Sequence, residues 1–168
     1  MLSTIGYEGA SLEDFIASLM EANIDILVDV RERAQSRRKG FSKTALAAAL
    51  ENAGIGYLHF RELGDPKEGR DAARAGDLAE FKRIYAKVIR RKAAVEALEN
   101  ITKISKKSNA CLLCYERDPF TCHRKIITDT IERTQGIKAK HLGVRPIESS
   151  KSPRRRMLHI GEGATAPV

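Results

Sequence analysis

Asp25-Ile26-Leu27-Val28-Asp29-Val30 reads as a strand buried on both faces, because its aliphatic run lacks the polar alternation of a half-exposed strand. The segments on either side extend that reading. Upstream, Ser3-Thr4-Ile5-Gly6-Tyr7 is a short first strand, and Ser11 followed by Asp14 resembles a capping box opening a helix that carries Phe15, Ile16, Leu19 and Met20. Downstream, a basic stretch at 31–39 ends at Gly40, and Ser42 caps an Ala-rich helix, 43–53, that stops at Gly54. Tyr57-Leu58-His59-Phe60 is a third strand, followed by a Gly- and charge-rich loop through Gly76.

Asp77 reopens helical periodicity with Phe81, Ile84, Tyr85, Val88 and Ile89 on one face, and a further helix spans about 94–106. Ala110-Cys111-Leu112-Leu113-Cys114 is a fourth strand. Asp118-Pro119 begins the next helix, which ends near Gly136, and Lys140-His141-Leu142 is a last strand. Alternation of strands and helices predicts an α/β fold in three layers: a mainly parallel sheet of about five strands with helices on both faces. Residues 1–143 form one domain on this reading. Residues 144–168 form a basic, flexible tail containing Lys151-Ser152-Pro153-Arg154-Arg155-Arg156.

The chain has 168 residues, 42% of them hydrophobic, enough for one core that needs neither disulfide nor metal to fold. Three cysteines, all within 111–122, do not make a secreted disulfide framework. With no membrane-spanning run and no signal-peptide pattern, the expected location is the cytoplasm. A formal charge of +8 points to an anionic partner, either nucleic acid or a phosphorylated small molecule. Five Phe, four Tyr and no Trp argue against a base-stacking platform for single strands.

In an open parallel sheet, ligands bind outside the carboxyl ends of the strands. That rule gathers Asp29 and Arg31, Gly6, Gly64 and the turn 114–124 at one edge. Asp29 and Arg31 point the same way from an extended chain, as an ion pair or as an acid beside an anion binder. Cys111 is a small buried residue, facing away from Cys114. A thiolate of Cys114 or Cys122 near a helix start with His123 and Arg124 would be activated. The same residues also fit a packed turn or a reversible Cys114–Cys122 disulfide. The Cys-x7-Cys-His spacing is not a recurrent zinc pattern, so no metal or cofactor is assigned, although Cys114, Cys122 and His123 with His59 or an acid could form a ligand set.

Thr4-Ile5-Gly6, Val28-Asp29-Val30-Arg31, Ser36-Arg37-Arg38 with Phe41-Ser42, Glu62-Leu63-Gly64 and above all Cys114-x-Glu116-x-Asp118-Pro119-x-x-Cys122-His123-Arg124 resemble the bacterial and archaeal family called domain of unknown function 488. The resemblance runs from about Thr4 to Leu142. It implies a compact α/β domain and a matched set of Asp29, Arg31, Glu116, Cys122, His123 and Arg124, without naming a reaction. Tyr7-Glu8 replaces the His-Ser that members often carry, and Asp65 replaces a second glycine. A weaker likeness is to rhodanese-type sulfurtransferases, through Asp29-Val30-Arg31 and Cys114, but Phe120 stands where a Cys-x5-Arg cradle would close.

The expected function is a small enzyme acting on a phosphorylated or nucleic-acid substrate. Asp29, Glu116, Cys114, Cys122 and His123 are its candidate catalytic residues, and Arg31, Arg37, Arg38, Arg124, Gly6 and Gly64 its candidate substrate contacts. Two alternatives are a thiol-dependent enzyme of sulfur or redox chemistry and a non-catalytic nucleic-acid-binding or adaptor domain.

Overall fold

The computed structural model describes residues 1–147, and the basic cluster of the expected tail lies outside the described residues. β1 (Leu2–Gly6), β2 (Ile26–Asp29), β3 (Gly56–His59), β4 (Ala110–Cys114) and β5 (Ala139–Leu142) pair in parallel in the order β3-β2-β4-β1-β5. β4 is the middle strand, with Leu112 beside both Thr4 and Val28. All five of its residues are buried, as its apolar sequence demands.

α1 (Leu12–Glu21) and α2 (Lys43–Asn52) cover one face, where Phe15, Leu19, Leu46 and Leu50 pack with Ile5, Leu27, Cys111 and Leu113. Between β3 and β4 lie α3 (Lys67–Arg74), α4 (Leu78–Val88) and α5 (Lys92–Lys107), and β4 leads into α6 (His123–Gln135). Phe81 and Tyr85 of α4, Ile101 of α5 and Ile127 and Ile131 of α6 pack with Leu2, Val28, Val30 and Leu112 on the opposite face. The fold is therefore three-layered, as expected. Alternate residues of β4 enter alternate cores, so Cys111 is fully buried on the α1–α2 side.

β1 and β2 each run into a helix on one face, whereas β4, between them, runs into a helix on the other. The face that the chain crosses after each strand thus switches on both sides of β4. Such a switch leaves a crevice at the strand ends, and the residues following β4 occupy it.

Three local expectations are corrected. The segment after Gly64 is not all loop: α3 is a real helix, short and strongly polar, with only Ala72 and Ala73 packed on the core and with Lys67 paired to Asp71 one turn on. The helix expected from Asp118 is broken. Pro119–Thr121 form a 3-10 turn capped by the Asp118 side chain, and α6 begins only at His123. Ser42 occupies the N-cap of α2, but its hydroxyl accepts from Ser36 N at 3.2 Å instead of from the helix. Ser11 does cap α1, accepting from Asp14 N at 3.1 Å.

Chain order also continues past residue 143. Arg145 N donates to Ser18 Oγ at 3.0 Å and Ile147 N to Asp14 Oδ1 at 2.6 Å, so residues 144–147 lie along α1. Among the described residues no helix is long and apolar enough to cross a membrane.

Candidate functional site

Asp29 ends β2 fully buried, and a lone carboxylate there would be strongly unfavourable. Arg31 resolves this: Nε and Nη2 donate to the two carboxylate oxygens at 2.9 and 2.6 Å, and Arg31 N adds a third bond at 3.1 Å. Tyr57 Oη supplies a fourth at 2.6 Å. The other side of the guanidinium donates to Tyr7 Oη at 3.0 Å and Phe41 O at 2.9 Å. Tyr7 in turn stacks on Phe41, ring centroids 4.3 Å apart. The Asp29–Arg31 ion pair is therefore a closed brace joining β2 to the loop before α2. Tyr57 is forced well above its ordinary pKa by burial and by its bond to Asp29.

Arg124 is similarly internal. Fully buried in the first turn of α6, it donates Nη1 to Thr4 Oγ1 at 3.1 Å, Nη2 to Glu116 O, and Nε to Cys122 Sγ at 3.4 Å. Arg38 is turned back as well, with Nε and Nη2 on Ala10 O at 3.0 and 2.5 Å. Three of the four arginines expected to clamp an anion thus hold protein atoms, and Arg37 alone of them is left exposed without a side-chain bond.

Gly6 and Gly64 serve backbone packing. A Cβ on Gly6 would lie 1.8 Å from Glu116 O, and one on Gly64 would lie 2.1 Å from Glu32 Cα. Their smallness lets the turn after β4 cross the end of β1, and the segment after β3 cross that after β2.

The break before α6 has a chemical consequence. Cys122 becomes the N-cap, and its Sγ accepts from Arg124 N at 3.5 Å, beside the positive end of the helix dipole. His123 Nε2 lies 2.9 Å from Val30 O, which only accepts, so Nε2 carries the proton and Nδ1 faces the sulfurs of Cys114 and Cys122 at 3.7 and 3.8 Å. Cys114 Sγ is 3.1 Å from Glu116 Oε2. One donor atom from each of Cys114, Glu116, Cys122 and His123 lies within 4.8 Å of every other. Glu116 alone among the four is not fully buried.

Charge divides unevenly in this cluster. Burial raises Cys122, but the Cys114 thiol, His123 and Arg124 outweigh it and hold Cys122 well below the ordinary thiol range. Cys114 goes the other way, pushed up by burial and by the neighbouring thiolate. Burial opposes a charge on His123, yet Cys122 carries its pKa to about 9. Burial, then Cys122, pushes Glu116 up to about 7. Together these shifts favour a Cys122 thiolate paired with a His123 imidazolium, beside a Cys114 that keeps its proton.

The family model described as Domain of unknown function DUF488 matches residues 11–131. The chain belongs to this family. No curated protein and no solved structure matches it. The matched region of this DUF488 chain contains the Asp29–Arg31 brace and the whole turn 114–124, whereas Thr4 and Gly6, which complete the Arg124 cage, precede it.

The His-to-Tyr7 departure noted in the sequence is filled by Arg31 and Phe41, and Glu8 accepts from Arg117 N at 3.0 Å. Asp65, the other departure, is a candidate functional residue that the strand-end rule overlooked. It is 6% exposed, and its Oδ1 is the buried side-chain oxygen without a hydrogen-bond partner among the described residues. Arg70 is engaged elsewhere, since it donates to Glu32 and to the Asp65 backbone carbonyl. Burial pushes the Asp65 carboxyl up to about 6, moderated by His123 and Arg70. The only sign in the sequence was a charged residue where a second glycine is usual.

A raised carboxyl stabilises the fold below its unfolded pKa and loses that contribution as pH rises through the folded value. Asp65 should therefore weaken the protein between about pH 4 and pH 6. Asp65→Asn is expected to gain about 1–2 kcal/mol at pH 8, allowing for water near the group, and to show no gain at pH 4. Urea denaturation at the two pH values checks this; equal stability of both proteins at pH 8 would refute it.

His59 stands apart from the cluster, its Nε2 on Arg31 O at 2.8 Å. A cavity of about 690 Å³ is also remote: it lies among α4, α5 and α6, lined by Ile89, Leu98, Thr102 and Ile126, with no cluster residue in its wall. A cleft of about 120 Å³ beside the end of β1 is lined by Gly6, Glu8, Asp14 and Arg117.

Proposed function

We propose that the protein is a small enzyme whose reaction centre is the cluster of Cys114, Glu116, Cys122 and His123, acting on an anionic substrate of the nucleic-acid or phosphorylated small-molecule class. The observation that carries this reading is the meeting of four reactive side chains within 4.8 Å at the switch point beside β4. A turn needed only for packing has no use for two thiols, an imidazole and a carboxyl in mutual contact. Glu116, the member that reaches the surface, is poised to take and return a proton at neutral pH. His123 and Cys122 supply the adjoining charge, and Arg124 positions Cys122 and the Glu116 backbone.

Exposed arginines supply the anion preference. Arg37 follows β2, Arg61 follows β3 and Arg117 follows β4, all at the edge where the cluster lies. The internal arginines contribute to the arrangement of the site and not to ligand contact.

Glu116→Gln removes the proton carrier while keeping the side chain's size. Turnover of nucleotide, RNA and DNA substrates is expected to fall about 10²–10⁴-fold, with the thermal unfolding curve little changed. A Glu116→Gln protein as active as the parent would sink the proposal.

The thiol-dependent reading is favoured by one observation, the place of Cys122 at the N-cap of α6 with Arg124 N donating to its sulfur and His123 Nδ1 beside it. It requires Cys122 to react with iodoacetamide at neutral pH faster than a free model thiol. Burial of Cys122 to 2% exposure weighs against it.

A further inference from the structure

The four-residue cluster has a second property that proton transfer alone does not use. The imidazole's Nε2–H is fixed on the Val30 carbonyl, which leaves Nδ1 facing two sulfurs. An outer carbonyl that sets the tautomer is the usual support of a metal-binding histidine. Donors arranged tetrahedrally around zinc, with Zn–S about 2.3 Å and Zn–N about 2.0 Å, are about 3.5–3.8 Å apart. The Nδ1 to sulfur distances are 3.7 and 3.8 Å.

Charge leads to the same place. Two thiolates and a carboxylate are balanced by a dication together with the buried guanidinium of Arg124, which already donates to Cys122.

The geometry points to a zinc-class divalent metal site in which Cys114 Sγ, Cys122 Sγ and His123 Nδ1 are ligands and Glu116 stands at the fourth position. Binding releases to solvent the protons of Cys114 and of Nδ1, together with that of Glu116 in the molecules where it is protonated. Val30 and Arg124 form the outer shell, one orienting the imidazole and the other the Cys122 sulfur. Two thiolates, one imidazole and an adjoining glutamate that is not a permanent ligand is also the set with which hydrolytic zinc deaminases activate water. The inference leans on the proposed enzymatic reading only for the role of Glu116 toward a bound water.

Cobalt(II) is the probe. The full chain, stripped with a chelator and titrated with Co²⁺, is expected to bind one equivalent with sulfur-to-cobalt charge-transfer bands and the visible bands of a tetrahedral ion, all displaced by Zn²⁺. Cys114→Ser, Cys122→Ser and His123→Ala should each weaken binding by more than about 100-fold, beyond the range of outer-shell changes, whereas Glu116→Gln should keep the charge-transfer bands. Absence of those bands in the parent protein, or their survival in both serine variants, overturns the site. Should the serine variants fail to fold by circular dichroism, zinc-edge X-ray absorption on the parent decides: two sulfur neighbours at about 2.3 Å support the site, and a shell of nitrogen and oxygen alone overturns it. None of these readouts needs a substrate, so normal turnover in Glu116→Gln with intact bands overturns the enzymatic proposal and leaves the metal site standing.

Discussion

Arg124→Met is expected to destabilise the protein by about 3–5 kcal/mol, the range for removing one member of a buried charged network. Methionine fills much of the same volume, so the loss comes from polar groups left without partners: Thr4 Oγ1, the Glu116 carbonyl and the Cys122 sulfur. Those three atoms belong to β1, to the turn after β4 and to the N-cap of α6. The guanidinium is what ties them into one unit. For a domain of this size the loss corresponds to a fall in Tm of roughly 10 °C, readable by thermal denaturation. Arg124→Lys should recover only part of it, since an ammonium cannot reach three divergent acceptors with the planar fork. A methionine variant within about 1 kcal/mol of the parent would show that the cage is not a structural brace.

Asp29→Ala should have an effect of similar size for the opposite reason. It leaves the Arg31 cation buried among Tyr7, Phe41 and Tyr57 without its counter-charge, again about 3–5 kcal/mol. The discriminating experiment is a double-mutant cycle. Replacing both members with apolar residues, Asp29→Leu with Arg31→Met, is expected to restore stability to within about 2 kcal/mol of the parent, because no unpaired charge remains. Urea denaturation of the four proteins measures the coupling. If the double variant is as unstable as the sum of the single ones, the pair is not a self-contained brace and each residue acts through other groups.

These expectations recast the role of the arginines. Arg31 and Arg124 are the most buried arginines of the site, and their bonds run to protein atoms on every side. The exposed arginines of the carboxyl edge include Arg37, Arg61 and Arg117. The reactive character rests with side chains that the cages hold in place.

Much of the architecture was legible because it depends on local pattern. The aliphatic runs at β2 and β4 and the helical periodicity of α1, α4 and α5 placed the layers and their order. What escaped has no such pattern: α3, a helix made of Lys, Glu, Gly, Arg, Asp and Ala, and the 3-10 turn that moves the start of α6 to His123. Asp65 escaped because its burial comes from α3 folding back on it, as Gly69 shows, where a Cβ would sit 2.0 Å from Asp65 Oδ1.

By itself, then, the sequence determined that Cys114-x-Glu116 and Cys122-His123-Arg124 stand at the carboxyl ends of a parallel sheet, since strand polarity and apolar runs are properties of neighbouring residues. Only the tertiary structure decided how those residues divide the work. Whether an arginine holds a ligand or a carbonyl depends on which acceptors β1 and the turn after β4 bring within reach of its fork. Whether Cys-x7-Cys-His is a scattered motif or a ligand sphere depends on a turn that folds back until two sulfurs, a ring nitrogen and a carboxylate oxygen meet. Those distances are set between segments remote in the chain, and no local periodicity encodes them.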